Sequence, residues 1–419
     1  MTVYKLGEMF SGPGGIAAGA KSASREHPGS MGIEHSWAVD YDSDTAATYA
    51  RNITGGDDSS VFTADVREFD LRQVRPFNAF AFGFPCNDFS LVGQKKGLDG
   101  EYGPLYSYGV HALALNAPDW FVAENVSGIR GANGGLAFGK ILSALQSPSV
   151  AALEDGAFRA RYADLLRTVR DDLEYDLVAH LYKFEEYGVP QKRHRVLVVG
   201  IRKDIAAALR RPFMVPQPTS RNPRQQKTSR EAIELVPIPD WATNNERPRH
   251  PERVVRRLEQ IEPGRNAFNT SFEEGSGLAL NVRGATLSNI YRRLDPDSPA
   301  YTVTGSGGGG THMYHWNEPR ALTNRERARL QTFDDDFVFE GSKPSVRRQI
   351  GMAVPPDGAA VVFRALLNTL EGRDYPVDQN GPNINASALI AAFREGKDEH
   401  AVEEALPPQD RQSAIPGLG

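Results

Sequence analysis

One cysteine, Cys86, stands in Phe82-Gly83-Phe84-Pro85-Cys86-Asn87-Asp88-Phe89-Ser90, directly after the apolar run Phe77-Asn78-Ala79-Phe80-Ala81. A thiol in a Gly/Pro loop at the end of a strand is placed to attack a substrate, whereas a free cysteine met alone is more often a small buried hydrophobe. Glu124 in Ala123-Glu124-Asn125-Val126 follows a second apolar run, Trp120-Phe121-Val122-Ala123, and offers a carboxyl for proton transfer. In isolation the same residue reads as an ordinary loop or helix-capping acid. Arg193 and Arg195, in Gly188-Val189-Pro190-Gln191-Lys192-Arg193-His194-Arg195, fall on one side of an extended segment. Two guanidiniums there can hold a carboxylate and a carbonyl, and an arginine-bearing surface strand is the commoner alternative.

A ligand-binding turn is read near the N-terminus. Phe10-Ser11-Gly12-Pro13-Gly14-Gly15 lies between a strand and a small-residue helix, where glycines let backbone approach a ligand. The next strand ends in Asp40, which suits a ribose diol, and Asp65 in Thr63-Ala64-Asp65-Val66 is an acceptor for an adenine amino group. The glycine spacing departs from the dinucleotide GxGxxG pattern, so an adenosyl ligand is favoured over NAD.

The elements that must carry these groups alternate strand with helix. Strands are predicted at Tyr4-Lys5-Leu6-Gly7-Glu8-Met9-Phe10, at His35-Ser36-Trp37-Ala38-Val39-Asp40, over 77–82, from Trp120, and over 195–201, with a helix over 44–52. This is the pattern of an α/β, doubly wound, Rossmann-like sheet, which gathers ligands at the carboxyl ends of its strands. Periodicity weakens after 204. A smaller, irregular domain is predicted over 205–285, the catalytic and cofactor-binding domain comprising 1–204 and 286–371, with a polar tail over 372–419. Thr323 is a plausible N-cap, an apolar helix is predicted over 361–370 and the tail offers one short helical candidate over 386–393.

Composition narrows the class. One cysteine excludes an internal disulfide and no CxxC pair offers a zinc ribbon, which fits a reducing cytoplasm without a metal. No apolar stretch approaches the roughly 20 residues of a membrane span, and the N-terminus lacks signal-peptide architecture. The net charge is −5, yet Arg202 to Arg257 holds 13 Lys/Arg against 6 Asp/Glu. That bias suits phosphate contacts, or a solvated loop.

Taken in order, these segments resemble the DNA (cytosine-5) methyltransferases of restriction-modification type. Phe10 to Gly15 is similar to their first cofactor motif, Pro85-Cys86 to the nucleophile motif, Glu124-Asn125-Val126 to the acid motif and Gln191 to Arg195 to the QxRxR motif. The similarity resumes with Ser298-Pro299-Ala300-Tyr301-Thr302-Val303-Thr304, Arg320-Ala321-Leu322-Thr323 through Arg329-Leu330-Gln331, and Gln349-Ile350-Gly351-Met352-Ala353-Val354-Pro355-Pro356. It covers about 4–370 apart from the basic segment.

The resemblance implies methyl transfer from S-adenosylmethionine to C5 of a cytosine extruded from double-stranded DNA. Cys86 would add to C6, Glu124 would stabilise N3, Arg195 would hold O2, and Arg193 would support Cys86 and Glu124. It implies cofactor contacts from Phe10, Gly12, Gly14, Gly15, Asp40, Tyr41, Asp65, Pro85, Leu105 and Met352, and DNA contacts from Ser90, Arg221, Arg224, Thr302 and Gly307. It further implies a cytoplasmic, nucleoid-associated prokaryotic monomer, paired with a separate restriction endonuclease or solitary. The run Gly305-Ser306-Gly307-Gly308-Gly309-Gly310 is a backbone approach to DNA or a connector. Met352 stands where the family carries asparagine; the substitution is either tolerated or admits a larger sulfonium cofactor such as carboxy-S-adenosylmethionine. A tRNA cytosine methylase of the same fold is disfavoured because Phe89-Ser90 replaces a Phe-Thr pair. A non-catalytic binding relative is disfavoured because Cys86 and Glu124 are both retained.

Overall fold

The computed structural model describes residues 2–85, 105–280, 290–305, 307 and 310–397. Seven strands form the main sheet: β1 (Thr2–Met9), β2 (Met31–Asp40), β3 (Val61–Thr63), β4 (Ala79–Phe82), β5 (Trp120–Val126), β6 (Tyr175–Lys183) and, after the two-residue β7 (Gln191–Lys192), β8 (His194–Arg202). Their order is β3-β2-β1-β4-β5-β8-β6. The first five run parallel, and β8 is inserted antiparallel between β5 and β6. The doubly wound α/β sheet expected from the sequence is present.

Alternation along the central strands makes two cores. Phe80 and Phe82 of β4 and Phe121 and Ala123 of β5 join the cluster beneath helices Tyr106–Asn116 and Leu136–Gln146. Ala79, Ala81, Trp120 and Val122 face the opposite cluster, under helix Pro356–Leu370. Successive side chains point to opposite faces, so strands covered on both sides read as unbroken apolar runs. Full burial of one such phenylalanine contributes ~1.5–3 kcal/mol. Helix Pro356–Leu370 lies against helix Gly15–Glu26, bringing the C-terminal part of the chain onto the N-terminal turn. The apolar stretch Lys343–Leu370 is two helices separated at Ala353–Pro355 and is mostly buried inside the protein.

A second body of packing involves Ile233, Leu294, Val303, Trp316, Phe333 and Ile350, with Leu258, Ile261, Tyr291 and Tyr314 beside it. The strand β9 (Ala300–Tyr301) pairs with β7 and joins this region to the main sheet. This packing crosses the boundaries drawn from composition. Phe213 and Val215 pack with the main sheet, while much of 290–350 packs with Ile233 and Leu258. Thr323 caps helix Asn324–Leu330 with a reciprocal box, its hydroxyl accepting from Glu326 N while the Glu326 carboxylate accepts from Thr323 N. The segment read as a polar tail is also packed up to its helix. Ile384, Leu389 and Ile390 are buried in the main core, and the Asn383 side chain accepts from Leu181 N at 2.8 Å and donates to Leu181 O at 3.2 Å, occupying the edge of β6. The reason is amphipathic spacing in helix Ala386–Arg394, outweighed in composition by the polar residues around it.

Candidate active site

The parallel register of β4 and β5 brings the entry to the cysteine loop beside the acid. Phe82 pairs with Ala123, so Gly83 and Glu124 follow on adjacent strands. A Cβ built on Gly83 would stand 2.9 Å from Glu124 Oε2, so a larger residue would press on the carboxyl. Asn125 Nδ2 donates to Phe84 O at 3.0 Å in a buried bond, fixing the backbone one residue before Pro85. Pro85 is half-buried; Cys86 and Ser90 lie outside the described residues.

Glu124 is within β5 rather than past its end, because the antiparallel β8 extends the pairing through Val126 and Arg195. Arg195 Nε reaches Glu124 Oε1 at 2.9 Å, and both side chains are nearly buried. Burial pushes the Glu124 carboxyl up, while the guanidiniums of Arg195 and Arg193 pull it down. The net shift of this carboxyl, which lies beside two cations, is upward. Arg193 is fully buried. Its Nη1 donates to Val303 O and its Nη2 to Gly351 O, each at 3.0 Å, so it also ties the β9 region and helix Lys343–Met352 to the acid. Gln191, absent from the predicted site residues, closes the same junction. Its side chain accepts from Val303 N at 2.7 Å and donates to Leu330 O and Gln331 Oε1.

The glycine turn divides into two jobs. Phe10 adopts φ 53° and Gly12 φ 56°, and a Cβ at Gly12 would meet nothing within 4 Å among the described residues, leaving room in front of the turn. Gly15 instead serves packing, because a Cβ there would lie 2.2 Å from Val354 O. Gly14 caps the helix with φ 97° against Tyr49 and Ile53. Asp40 accepts from Gly12 N at 2.9 Å and Asp42 N at 3.1 Å, so it shapes the turn as well as ending β2. Burial raises its carboxyl against those donors. A carboxylate has about four acceptor sites, which leaves capacity for a ligand hydroxyl.

Tyr41, next to it, is 77 % exposed, and Met352 is 71 % exposed. Asp65 is gripped by Arg67 through both oxygens, with Nε at 3.0 Å and Nη2 at 2.6 Å. Asp65, expected to accept from an adenine amino group, thus meets Arg67 in this structure. Leu105 is buried in the main core at the start of helix Tyr106–Asn116.

Among the residues predicted to meet DNA, Arg221 pairs with buried Asp378 and lies near Glu186, anchoring the C-terminal segment. Thr302 spends its hydroxyl on Lys192 O at 2.6 Å. Arg224 is exposed. Gly307 O accepts from Arg347.

Sequence reasoning also missed Glu8, a buried acid in β1 directly below the turn. Its Oε2 accepts from Tyr49 OH at 2.5 Å, and burial lifts its pKa to about 8. The signal was an acid inside an otherwise apolar strand.

Known proteins of one family are similar to this chain over most of its length. The profile of the family described as "C-5 cytosine-specific DNA methylase" matches residues 4–148 and 161–368. A Type II methyltransferase of Brevibacillus brevis, M.BbvI, is 50 % identical over 380 residues, covering 89 % of this chain and 93 % of that one. The Type II methyltransferase M.NgoFVII of Neisseria gonorrhoeae is 35 % identical over 394 residues, 92 % of each. A prophage-encoded candidate DNA modification methyltransferase from E. coli superposes with a TM-score of 0.57 at 21 % identity, covering 88 % of this chain and all of that one, which shows a shared fold. The chain belongs to the C-5 cytosine-specific DNA methylase family.

Proposed function

We propose that this cytosine-C5 DNA methyltransferase uses S-adenosylmethionine and acts on a cytosine turned out of a specific double-stranded sequence, through a covalent bond between Cys86 and C6. The reading is carried by Glu124, a buried carboxyl raised by its surroundings, paired with Arg195 and set against Gly83 at the foot of the cysteine loop. Cytosine C5 is a weak nucleophile. Addition of the Cys86 thiolate to C6 moves electron density into the ring and makes C5 an enamine carbon. Glu124 meets that charge by donating a proton or hydrogen bond at N3, and Arg195 holds O2. A water takes the C5 proton after transfer, and the C6–S bond breaks to restore the double bond and the thiolate.

The residues around the turn fit an adenosyl sulfonium. No described atom crowds Gly12, Asp40 retains acceptor capacity, and the apolar surfaces of Tyr41 and Met352 are uncovered. When bound, that group supplies an electrophilic methyl. Met352 carries no donor for an added carboxylate, which favours methyl over a carboxymethyl group.

Extrusion of the base costs a few kcal/mol, which contacts to the DNA backbone offset. The names of the Brevibacillus and Neisseria relatives support a restriction-modification role; a separate endonuclease as counterpart and a cytoplasmic monomer as the working form belong to the proposal alone. Nucleoside mass spectrometry of DNA and of tRNA from expressing cells tests the reading. The expected product is 5-methylcytosine in DNA; modification confined to tRNA, or a carboxymethylated base, contradicts it.

A further inference from the structure

Beneath the glycine turn, a chain of hydrogen bonds ends on an acid that the methyl-transfer chemistry leaves unused. Glu8, two residues before Phe10 in β1, is 1 % exposed, and its Oε1 is buried without a hydrogen-bond partner among the described residues. Its Oε2 is bonded to the Tyr49 hydroxyl at 2.5 Å. Tyr49, in helix Ser43–Ile53, is fully buried and is bonded in turn to His35 Nδ1 at 3.1 Å, while His35 Nε2 is bonded to the Ser60 hydroxyl at 2.9 Å. His35 is half-buried, which gives the chain an outlet toward solvent. Tyr49 also supports the turn itself, because a Cβ built on Gly14 would stand 3.2 Å from its ring atom Cδ2. The same helix is capped by Asp42, two residues after the Asp40 carboxylate that accepts from Gly12 N.

The chain has two consistent settings, one for each state of Glu8. Burial pushes the His35 ring down to about 4, so above that pH it is neutral and carries one N–H. With that hydrogen on Nδ1, His35 donates to Tyr49, Tyr49 donates to the Glu8 carboxylate, and Ser60 donates to Nε2. With it on Nε2, His35 donates to Ser60 and accepts from Tyr49, leaving the Tyr49 oxygen to accept from a protonated Glu8. Passing from the second setting to the first moves one proton from Glu8 to Tyr49, one from Tyr49 to Nδ1 and one from Nε2 outward by way of Ser60. Glu8 loses a single proton, and its neighbours end neutral. The two settings differ in cost. A carboxylate there meets one donor and buries its second oxygen unmet, a heavier penalty than a neutral carboxyl with the same gap. Among the described residues, Tyr49 is the titratable group that acts on Glu8, and the charges of Arg75 and Asp57 act one step further out, on His35. Ionised Glu8 is relieved by loosening the packing around Tyr49 so that water enters, and that packing underlies Gly14.

We infer that Glu8 is a positioning residue for the cofactor turn: protonated, it holds Tyr49 under Gly14 and keeps the turn in its binding shape, and loss of its proton releases that support. This rests on the S-adenosylmethionine reading above and deepens it by naming a group that sets cofactor affinity without touching the cofactor. Burial lifts the Glu8 carboxyl to about 8, so the support is present below that pH and is lost above it.

Binding of S-adenosylhomocysteine to the full chain, followed by calorimetry from pH 7 to pH 9 without DNA, tests the inference apart from methyl transfer. Where the protonated form alone is competent, apparent Kd is the intrinsic value divided by the protonated fraction, so wild-type affinity should fall about tenfold across that range. Glu8→Gln keeps an uncharged side chain of the same shape at every pH and should bind equally well at pH 7 and pH 9. At pH 8 the wild type should take up about half a proton more per ligand bound than Glu8→Gln, read in buffers of differing ionisation enthalpy. Titration of the ligand's own amino group is common to the two proteins and cancels. Tyr49→Phe removes the hydrogen bond that pulls the Glu8 carboxyl down, so its loss of affinity should begin at higher pH. Parallel pH curves for folded wild type and folded Glu8→Gln overturn the inference. So does a Tyr49→Phe curve that is unmoved or displaced to lower pH, which decides the matter alone if Glu8→Gln does not fold. Wild-type protein that binds no S-adenosylhomocysteine at pH 7 would instead defeat the cofactor reading itself.

Discussion

The sheet end around Glu124 and the basic segment around Arg221 both concentrate charge, but they use it differently. At the sheet end, Arg195 pairs with one carboxyl that burial raises, and the charge of buried Arg193 acts on the same group. In the basic segment much of the charge turns back on the protein. Arg221 binds Asp378, Arg230 pairs with Glu234 and Asp297, and Arg257 donates to Leu278 O. A run of cations in a sequence thus overstates the charge available to a partner. The position of an acid relative to its neighbouring strand is the more informative signal.

The largest effect that would break this contrast is expected at Glu124. Glu124→Gln keeps the shape but cannot transfer a proton, and methyl transfer is expected to fall by ~10²–10⁴-fold, read as initial rates of methyl incorporation into DNA. A loss of under threefold would reduce Glu124 to a structural partner of Arg195. Arg195→Gln should move the high-pH limb of activity upward, since the attraction that holds the Glu124 carboxyl down is removed. A downward shift contradicts that electrostatic reading.

Glu8 sharpens the contrast through stability. Its folded pKa of about 8 lies above its ordinary 4.5, so between those values the folded chain keeps a proton that the unfolded chain has released. Stability from this group is full below 4.5, falls as pH rises, and levels off above 8. Glu8→Gln should flatten that decline, with ~2 kcal/mol or more of pH-dependent difference removed. Urea titrations from pH 5 to pH 8.5 read it, and parallel curves for the two proteins would contradict a protonated Glu8.

Smallest is the pair of arginines that composition treats alike. Arg221→Ala is expected to lower the melting temperature by exposing buried Asp378 without a counterion, and to leave the salt dependence of DNA binding unchanged. Arg224→Ala is expected to do the reverse, with stability within about 0.5 kcal/mol of wild type and a shallower salt slope. Identical behaviour of the two variants would erase the distinction drawn between paired and available charge.

Much of the site was legible because strand ends carry chemistry in a doubly wound sheet. Asp40, the glycine turn and Glu124 were placed by apolar runs that stop at a polar residue, and Thr323 by its capping pattern. What escaped depends on partners far along the chain. Nothing local to Gly15 reveals Val354 O, and nothing local to Arg193 reveals Val303 and Gly351. The insertion of β8 against β5 has the same origin, because an apolar run does not state its direction. Strand β6 is not legible as an apolar run because Asp176 and the buried His180 interrupt it. The Arg67 contact to Asp65 is likewise not stated by residue order, although the two lie only two residues apart.

Trapping on DNA containing 5-fluorocytosine tests most directly the bond proposed between Cys86 and the cytosine ring. Fluorine takes the place of the C5 proton and cannot be abstracted, so the C6–S bond does not break and wild-type protein with S-adenosylmethionine should form a denaturation-resistant adduct that peptide mass spectrometry places on Cys86. Cys86→Ser should bind the same duplex and form none. A stable adduct in Cys86→Ser, or no adduct from wild-type protein that demonstrably methylates DNA, would contradict the account.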